Sequence, residues 1–221
     1  MGRAAISAFA AFVISLLLLQ PGIGAAPFSL FGAATPVKTG APPNPWAVQL
    51  ISNTGNGTAA DDFGGIAFQD SNDSLTFAGL YGLSADYQVV TGDCGGGSPR
   101  FAIAIDMDDN GIFEQPTDGA ISVYIGPAPN FIGCTPPTDW QSTGNLIGIP
   151  STDTRYDTSQ FAGGTFYDTY DHALSLVGTK RVLFVILVVD GGWAVAGGVQ
   201  TFNVDKFAVN NHTVVARGFG R

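Results

Sequence analysis

The chain has 221 residues, of which 45% are hydrophobic, 11% aromatic and 12% charged, a content that builds a sizeable core and argues against disorder. Its 18 acidic residues outnumber 9 Lys and Arg, and loss of Arg3 with a leader would leave 8 basic residues against 18 acidic ones. Nucleic-acid binding and binding to an anionic membrane are therefore disfavoured, since both need a basic patch.

Met1-Gly2-Arg3 supplies a short positive start, Ala4 to Leu19 form an uncharged apolar run, and Gln20-Pro21-Gly22 break it before the small residues Gly24, Ala25 and Ala26. That layout predicts a cleavable secretory signal peptide over residues 1–26. The run falls short of the roughly 20 apolar residues a spanning helix needs, so no membrane attachment is expected after cleavage. Residues 27–45, rich in Ala, Pro and Gly with one charge at Lys38, read as a linker. A single domain is expected over residues 46–221, working outside the cytoplasm, secreted or at the cell surface.

Short apolar or alternating runs then follow one another: Trp46 to Ile51, Phe63 to Phe68, Ser74 to Leu80, Tyr87 to Thr91, Phe101 to Ile105 and Ile121 to Ile125. After an irregular middle come Val182 to Val189, Val199 to Val204, Lys206 to Val209 and Thr213 to Ala216. Glu114 is the lone Glu among the 18 acids, so 17 are Asp, a turn former and poor helix former, and 30 Gly and 13 Pro add to the turns. The expected fold is all-β, a two-sheet β-sandwich or jelly roll with one short helix. That helix is expected from Thr169 to Val177, with Tyr170, Ala173, Leu174 and Val177 on one face, Asp168 as its N-cap and Gly178 at its end. The run Val182 to Val189 ends at Asp190 and is too short to span a bilayer, so it reads as a central strand buried on both faces.

Cys94 and Cys134 allow one pairing, and an oxidising compartment predicts that they bond. A zinc or redox site is disfavoured because there is no C-x-x-C and the histidines are only His172 and His212.

Asp106-Met-Asp108-Asp109-Asn110-Gly111-Ile112-Phe-Glu114 has the spacing of a calcium loop, with Asp106, Asp108 and Asn110 at positions 1, 3 and 5 and Gly111 permitting the sharp turn. The carbonyl of Ile112 falls at position 7 and Glu114 at position 9. Thr117 stands where an EF-hand has its bidentate Glu, and a strand precedes the loop in place of a helix, so the expectation is a structural calcium site on a β-hairpin; a solvated Asp/Asn turn is the alternative.

No catalytic constellation is present. Gly96-Gly97-Ser98-Pro99-Arg100 lacks the last Gly of a nucleophile elbow and leads into a strand, and there is no H-E-x-x-H or phosphate-cradling loop. One Glu precludes a paired-Glu glycosidase site, whereas an Asp pair such as Asp190 with Asp205 could serve as acid and base. Trp140 and Trp193 are candidate sugar-stacking platforms, with core packing as the alternative. Asn56-Gly-Thr58, Asn72-Asp-Ser74 and Asn211-His-Thr213 match the glycosylation sequon.

The blocks Gly97-Ser-Pro-Arg-Phe101, Asp106 to Gly111, Trp140 to Leu146, Arg155 to Gly164, Val188 to Trp193 and Gln200-Thr-Phe give residues 74–215 a likeness to a known group. The chain resembles a group of secreted or surface-attached bacterial β-sandwich proteins to which no activity is attached. The closing strands Val199 to Val209, with Asp205, more loosely resemble jelly-roll carbohydrate-binding modules. The resemblance implies export and an all-β domain, and transfers no catalytic residue. The function expected from all of this is a non-catalytic, calcium-stabilised module that binds a glycan or cell-surface polymer. A secreted glycosidase-like hydrolase using Asp residues and a structural envelope or matrix protein are the alternatives.

Overall fold

Alternation of apolar and polar side chains dictates two half-buried sheets, and the computed structural model, which describes residues 28–53, 62–70, 74–134, 139–214 and 216, has them. In sheet A, β1 (Phe28–Gly32), β4 (Gly64–Phe68), β10 (Arg181–Val189), β6 (Arg100–Asp106), β7 (Gly119–Tyr124) and β9 (Tyr156–Asp157) lie side by side in that order. Sheet B runs β2 (Ala34–Val37), β3 (Ala47–Asn53), β11 (Val199–Val209), β5 (Leu83–Thr91) and β8 (Gln141–Ser142), with β12 (His212–Thr213) paired to the end of β11. The pairings are antiparallel, and the chain passes repeatedly from one sheet to the other, the wrapped connectivity of a jelly-roll-type sandwich. Among the described residues no helix is long and apolar enough to cross a membrane.

Strand β5 turns Leu83, Ala85, Tyr87 and Val89 into the core and leaves Ser84, Asp86 and Gln88 outside. Strand β10 is the central strand its composition predicts: Val182, Val185, Leu187 and Val189 join the main core, while Ile186 and Val188 join a second apolar cluster with Phe31, Ala67, Ala102, Ala104 and Phe113. The outer face of sheet B is polar instead, with Gln49 Nε2 donating to Asn203 Oδ1 (3.2 Å) and Asn203 Nδ2 donating to Gln88 Oε1 (3.0 Å) across three strands.

Four expectations need correction. Residues 28–37 of the stretch read as a linker form β1 and β2, the edge strands of the two sheets. Phe28 packs against Phe68 and, edge-on, Phe207, and an edge strand tolerates Pro36, which has no N–H to give. The chain changes sheets at Gly32, whose φ of +60° and close approach to the Phe63 carbonyl leave no room for a side chain. Residues 74–80 hold a 3-10 turn at Phe77–Gly79 where a strand is predicted, because Phe77 and Ala78 donate their N–H groups to the carbonyls of Lys180 and Gly178. The two predicted strands 199–204 and 206–209 are one strand, β11, bulged at Lys206, which has a φ of 50°. The helix α1 (Tyr170–Val177) is capped by Thr169, whose hydroxyl oxygen accepts from His172 N–H (3.1 Å). Asp168, the expected cap, is turned inward to the Thr158 hydroxyl and the His172 ring.

These connections sort the loops to opposite ends of the sandwich. One end gathers the close of β5, β7 and β10 with the start of β6 and β11. The other gathers the start of β5, β7 and β10 with the close of β6 and β11.

Candidate functional site

At the first end the loop between β5 and β6 is all small residues, Gly95 to Ser98, and closes on itself through paired backbone bonds between Gly95 and Ser98. Its conformation depends on glycine: Gly96 and Gly97 have φ of +61° and +78°, and a Cβ at Gly96 would stand 2.8 Å from the Trp193 ring. Trp193 itself lies in a 3-10 turn at Gly192–Ala194, between β10 and β11, and remains 68% exposed.

A buried polar network fixes both segments. The Gln200 side chain, fully buried, donates to the carbonyls of Asp93 (2.7 Å) and Ser98 (3.0 Å) and accepts from Ser98 Oγ (2.7 Å) and Gly191 N–H (3.2 Å). Ser98 Oγ in turn accepts from Asp190 N–H (2.9 Å), and Ser52 Oγ accepts from Gly192 N–H (3.0 Å). A satisfied buried network of this kind rigidifies what it touches. The Cys94–Cys134 disulfide forms as expected, with a Cα separation of 5.1 Å, and ties this loop to the segment carrying Phe131.

On the other side of the glycine loop, a Cβ at Gly97 would sit 3.3 Å from the Tyr124 ring. Tyr124 belongs to an aromatic cluster, its centroid 5.6 Å from Phe131 and 6.4 Å from Tyr167, with Phe131 and Tyr167 stacked at 6.2 Å. Phe131 holds its place in that stack with a φ of 56°, an outlier for a bulky residue, and the Arg155 guanidinium covers it at 5.3 Å. Tyr167 is 59% exposed.

Charged groups border these rings. Arg100 forms a two-pronged ion pair with Asp190 (2.6 and 2.7 Å) and donates to the Gly97 carbonyl. Burial works against the charge on Arg100, but Asp190 more than offsets it and the pKa rises. Arg155 pairs with Asp153 and donates to the Tyr124 carbonyl (2.8 Å). The Tyr124 hydroxyl donates to Asp157 Oδ2 (2.9 Å), and burial together with that carboxylate pushes its pKa up, so the phenol stays protonated.

The opposite end carries the Asp106 loop. Asp106 is fully buried at the close of β6 and accepts from Arg181 Nε (2.9 Å) and the Arg181 terminal nitrogen, and from the N–H groups of Asn110 (3.1 Å) and Gly111 (2.9 Å). Burial alone would raise its pKa, but the Arg181 and backbone hydrogen bonds lower it below the ordinary carboxylate value. Carboxylate oxygens of Asp106, Asp108 and Asp118 lie within 4.8 Å of one another, a hard-oxygen set suited to calcium. Asp118, thirteenth in the loop and absent from the sequence prediction, is 4% exposed and accepts from Met107 N–H and Glu114 N–H (2.8 Å each). Asn110 instead holds the turn, accepting from Ile112 N–H (2.7 Å) and donating to Asp108. Glu114 is exposed and stands outside the trio.

The remaining candidates scatter. Trp140 is half-buried just before β8, at the far edge of sheet B from β2. Asp190 and Asp205 do not form a pair: Gln200 touches Gly191, and Asp205 lies five residues further along the other sheet, roughly 17 Å away at strand spacing. Asp205 faces Asp86 in register, is bound by Asn44 Nδ2 (2.9 and 3.0 Å), and is pushed up in pKa by burial. Asp93, Cys94 and Cys134 come together, but the bonded cysteines offer no thiolate. Asn211 is exposed at the turn before β12, whereas Asn56 and Asn72 lie outside the described residues, as do residues 1–26, where a signal peptide is expected. No protein-family model and no curated protein matches the chain.

Proposed function

We propose that the chain is an exported, non-catalytic module that binds a glycan or similar cell-surface polymer at its Trp193 end, and that calcium at the Asp106 loop stabilises the opposite end. Export is supported by the charged start, apolar run and small residues over 1–26, and the Cys94–Cys134 bond suits an oxidising compartment.

The observation that carries the binding role is Trp193, a ring 68% exposed yet seated against a glycine loop that a buried glutamine network holds. A large aromatic face kept in water on a fixed support costs solvation and offers a flat apolar surface to a sugar ring. Tyr167 provides a second exposed ring beyond the loop, and Asp157 and Asp190 supply acceptors for hydroxyl groups. Asp190, Asp153 and Asp157 there hold Arg100, Arg155 and the Tyr124 hydroxyl, which supports a binding role over acid/base work.

For the calcium site, Arg181 already neutralises part of the charge of Asp106, so weak binding in the millimolar range is expected, as in extracellular modules.

A glycan array tests the binding role. Binding without product release, lost in Trp193→Ala, is the expected result. Sugar release that Asp205→Asn abolishes would replace it with the hydrolase alternative.

A further inference from the structure

Six Lys and Arg residues lie among the described residues, and each already has a partner. Arg100 pairs with Asp190, Arg155 with Asp153, Lys180 with Asp109, Arg181 with Asp106 and Lys206 with Asp86, while Lys38 stands over the Trp46 ring at 5.3 Å. The Trp193 end holds two of these cations, and both are paired with a carboxylate and largely buried. The Arg100 terminal nitrogens are taken by both Asp190 oxygens and the Gly97 carbonyl. Arg155 gives Nε and one terminal nitrogen to Asp153 and the other to the Tyr124 carbonyl, with its flat face on Phe131.

Around them stand four carboxylates, Asp93, Asp153, Asp157 and Asp190. An ionised carboxylate accepts about four hydrogen bonds. Asp157 has two partners, Ser159 N–H (3.0 Å) and the Tyr124 hydroxyl (2.9 Å), and Asp190 receives two from Arg100. Spare lone pairs therefore border the exposed rings, and a neutral pyranose has the hydroxyl donors to meet them. An anionic sugar would bring its charge to an excess of carboxylates, and would have to break an Arg–Asp pair to find a cation, at a cost its own new pair would at best balance.

Resting on the glycan-binding role, we infer that the Trp193 end selects neutral polysaccharides and rejects uronic, sulfated and sialylated ones, and that Asp157 is a specificity-determining acceptor. The ring stack supplies affinity common to all pyranoses, whereas the carboxylates and the two locked guanidiniums make the choice. Affinity electrophoresis of the protein purified after export, through gels holding neutral polysaccharides (β-glucan, mannan, xylan) or anionic ones (polygalacturonate, alginate, heparin), tests it. Retardation is expected in at least one neutral gel and in no anionic gel. Trp193→Ala should abolish it, and Asp157→Asn should weaken it about tenfold at unchanged Tm, the size of one lost charged hydrogen bond. Retardation in an anionic gel that Trp193→Ala removes would overturn the selection while leaving the binding site in place. Free migration in every gel would overturn the binding role itself, and the selection with it.

Discussion

The two ends of the sandwich solve the same problem, how to hold a long loop against a sheet end, by different chemistry. At the Asp106 end the loop winds around carboxylates: Asp106 and Asp118 accept four backbone N–H groups between them, and Arg181 answers the buried charge. At the Trp193 end the support is mainly neutral and covalent, a fully buried glutamine and a disulfide, with the Arg100–Asp190 pair adding one bond to the Gly97 carbonyl. Under the proposed function, the difference separates a stabilising region from a binding region. Asp106 and Asp118 shape their own loop through its N–H groups, whereas at the Trp193 end an amide side chain and a cross-link carry the loop and the Trp193 and Tyr167 rings face solvent.

The sharpest way to break this contrast is to remove the cross-link. A bond closing a loop with a sequence separation of 40 residues contributes about 4 kcal/mol in the chain-entropy treatment. The Cys94→Ser, Cys134→Ser double variant is therefore expected to melt roughly 8–16 °C below the parent. Because the bond tethers the loop beside Trp193 and the segment of Phe131, glycan retention should weaken even well below the new Tm. Unchanged melting would show that the glutamine network alone holds this end.

Next in size is the charged end. Asp106→Ala removes the carboxylate paired with Arg181 and the acceptor of Gly111 N–H, while Asn110 N–H keeps Asp108; with Arg181 partly exposed, about 2 kcal/mol is expected, less than for a wholly buried pair. The pH dependence has a definite sign. Asp106 and Asp168 both have lowered folded-state values, so their contribution is complete above the ordinary carboxylate pKa and is lost as pH falls through the lowered ones. Parent stability should decline below about pH 4, and the decline should be shallower in Asp106→Ala. Parallel acid limbs in urea titrations of the two proteins would remove Asp106 from that account.

The same contrast explains what sequence reading could see. The Asp106 end was legible because its loop is local: the Asp/Asn/Gly spacing announces a turn built on side-chain acceptors, although Asp118, beyond the expected positions, is the third carboxylate that clusters with Asp106 and Asp108. The sheets were legible for the same reason, since alternation in β5 and the apolar run of β10 are local patterns. The Trp193 end was half hidden. Trp193 stood out by type, but Tyr124, Phe131 and Tyr167 come from three separated segments and meet only in the fold. Gln200, buried at the start of β11 between Val199 and Thr201, has no local signal of its burial. Asp205 misled for a related reason: its partner is set by strand register, which brings Asp86 opposite and leaves Asp190 in the other sheet.

The smallest effect decides whether the Asp106 end takes a metal as well as an arginine. With a dissociation constant near 1 mM, about 10 mM calcium stabilises a folded state by roughly 1.4 kcal/mol, a rise in Tm of about 3–5 °C that chelator should reverse. Asp108→Ala is the control that separates metal from structure. Asp108 is exposed and bonds only Asn110 in the turn, so its loss should leave the metal-free Tm within about 2 °C of the parent. It does remove one of the three clustered carboxylates, and the calcium increment should vanish with it. An increment that survives in Asp108→Ala places the ion elsewhere on this acidic surface. Identical parent curves with calcium and with chelator would mean that Arg181 is the sole cation the trio needs.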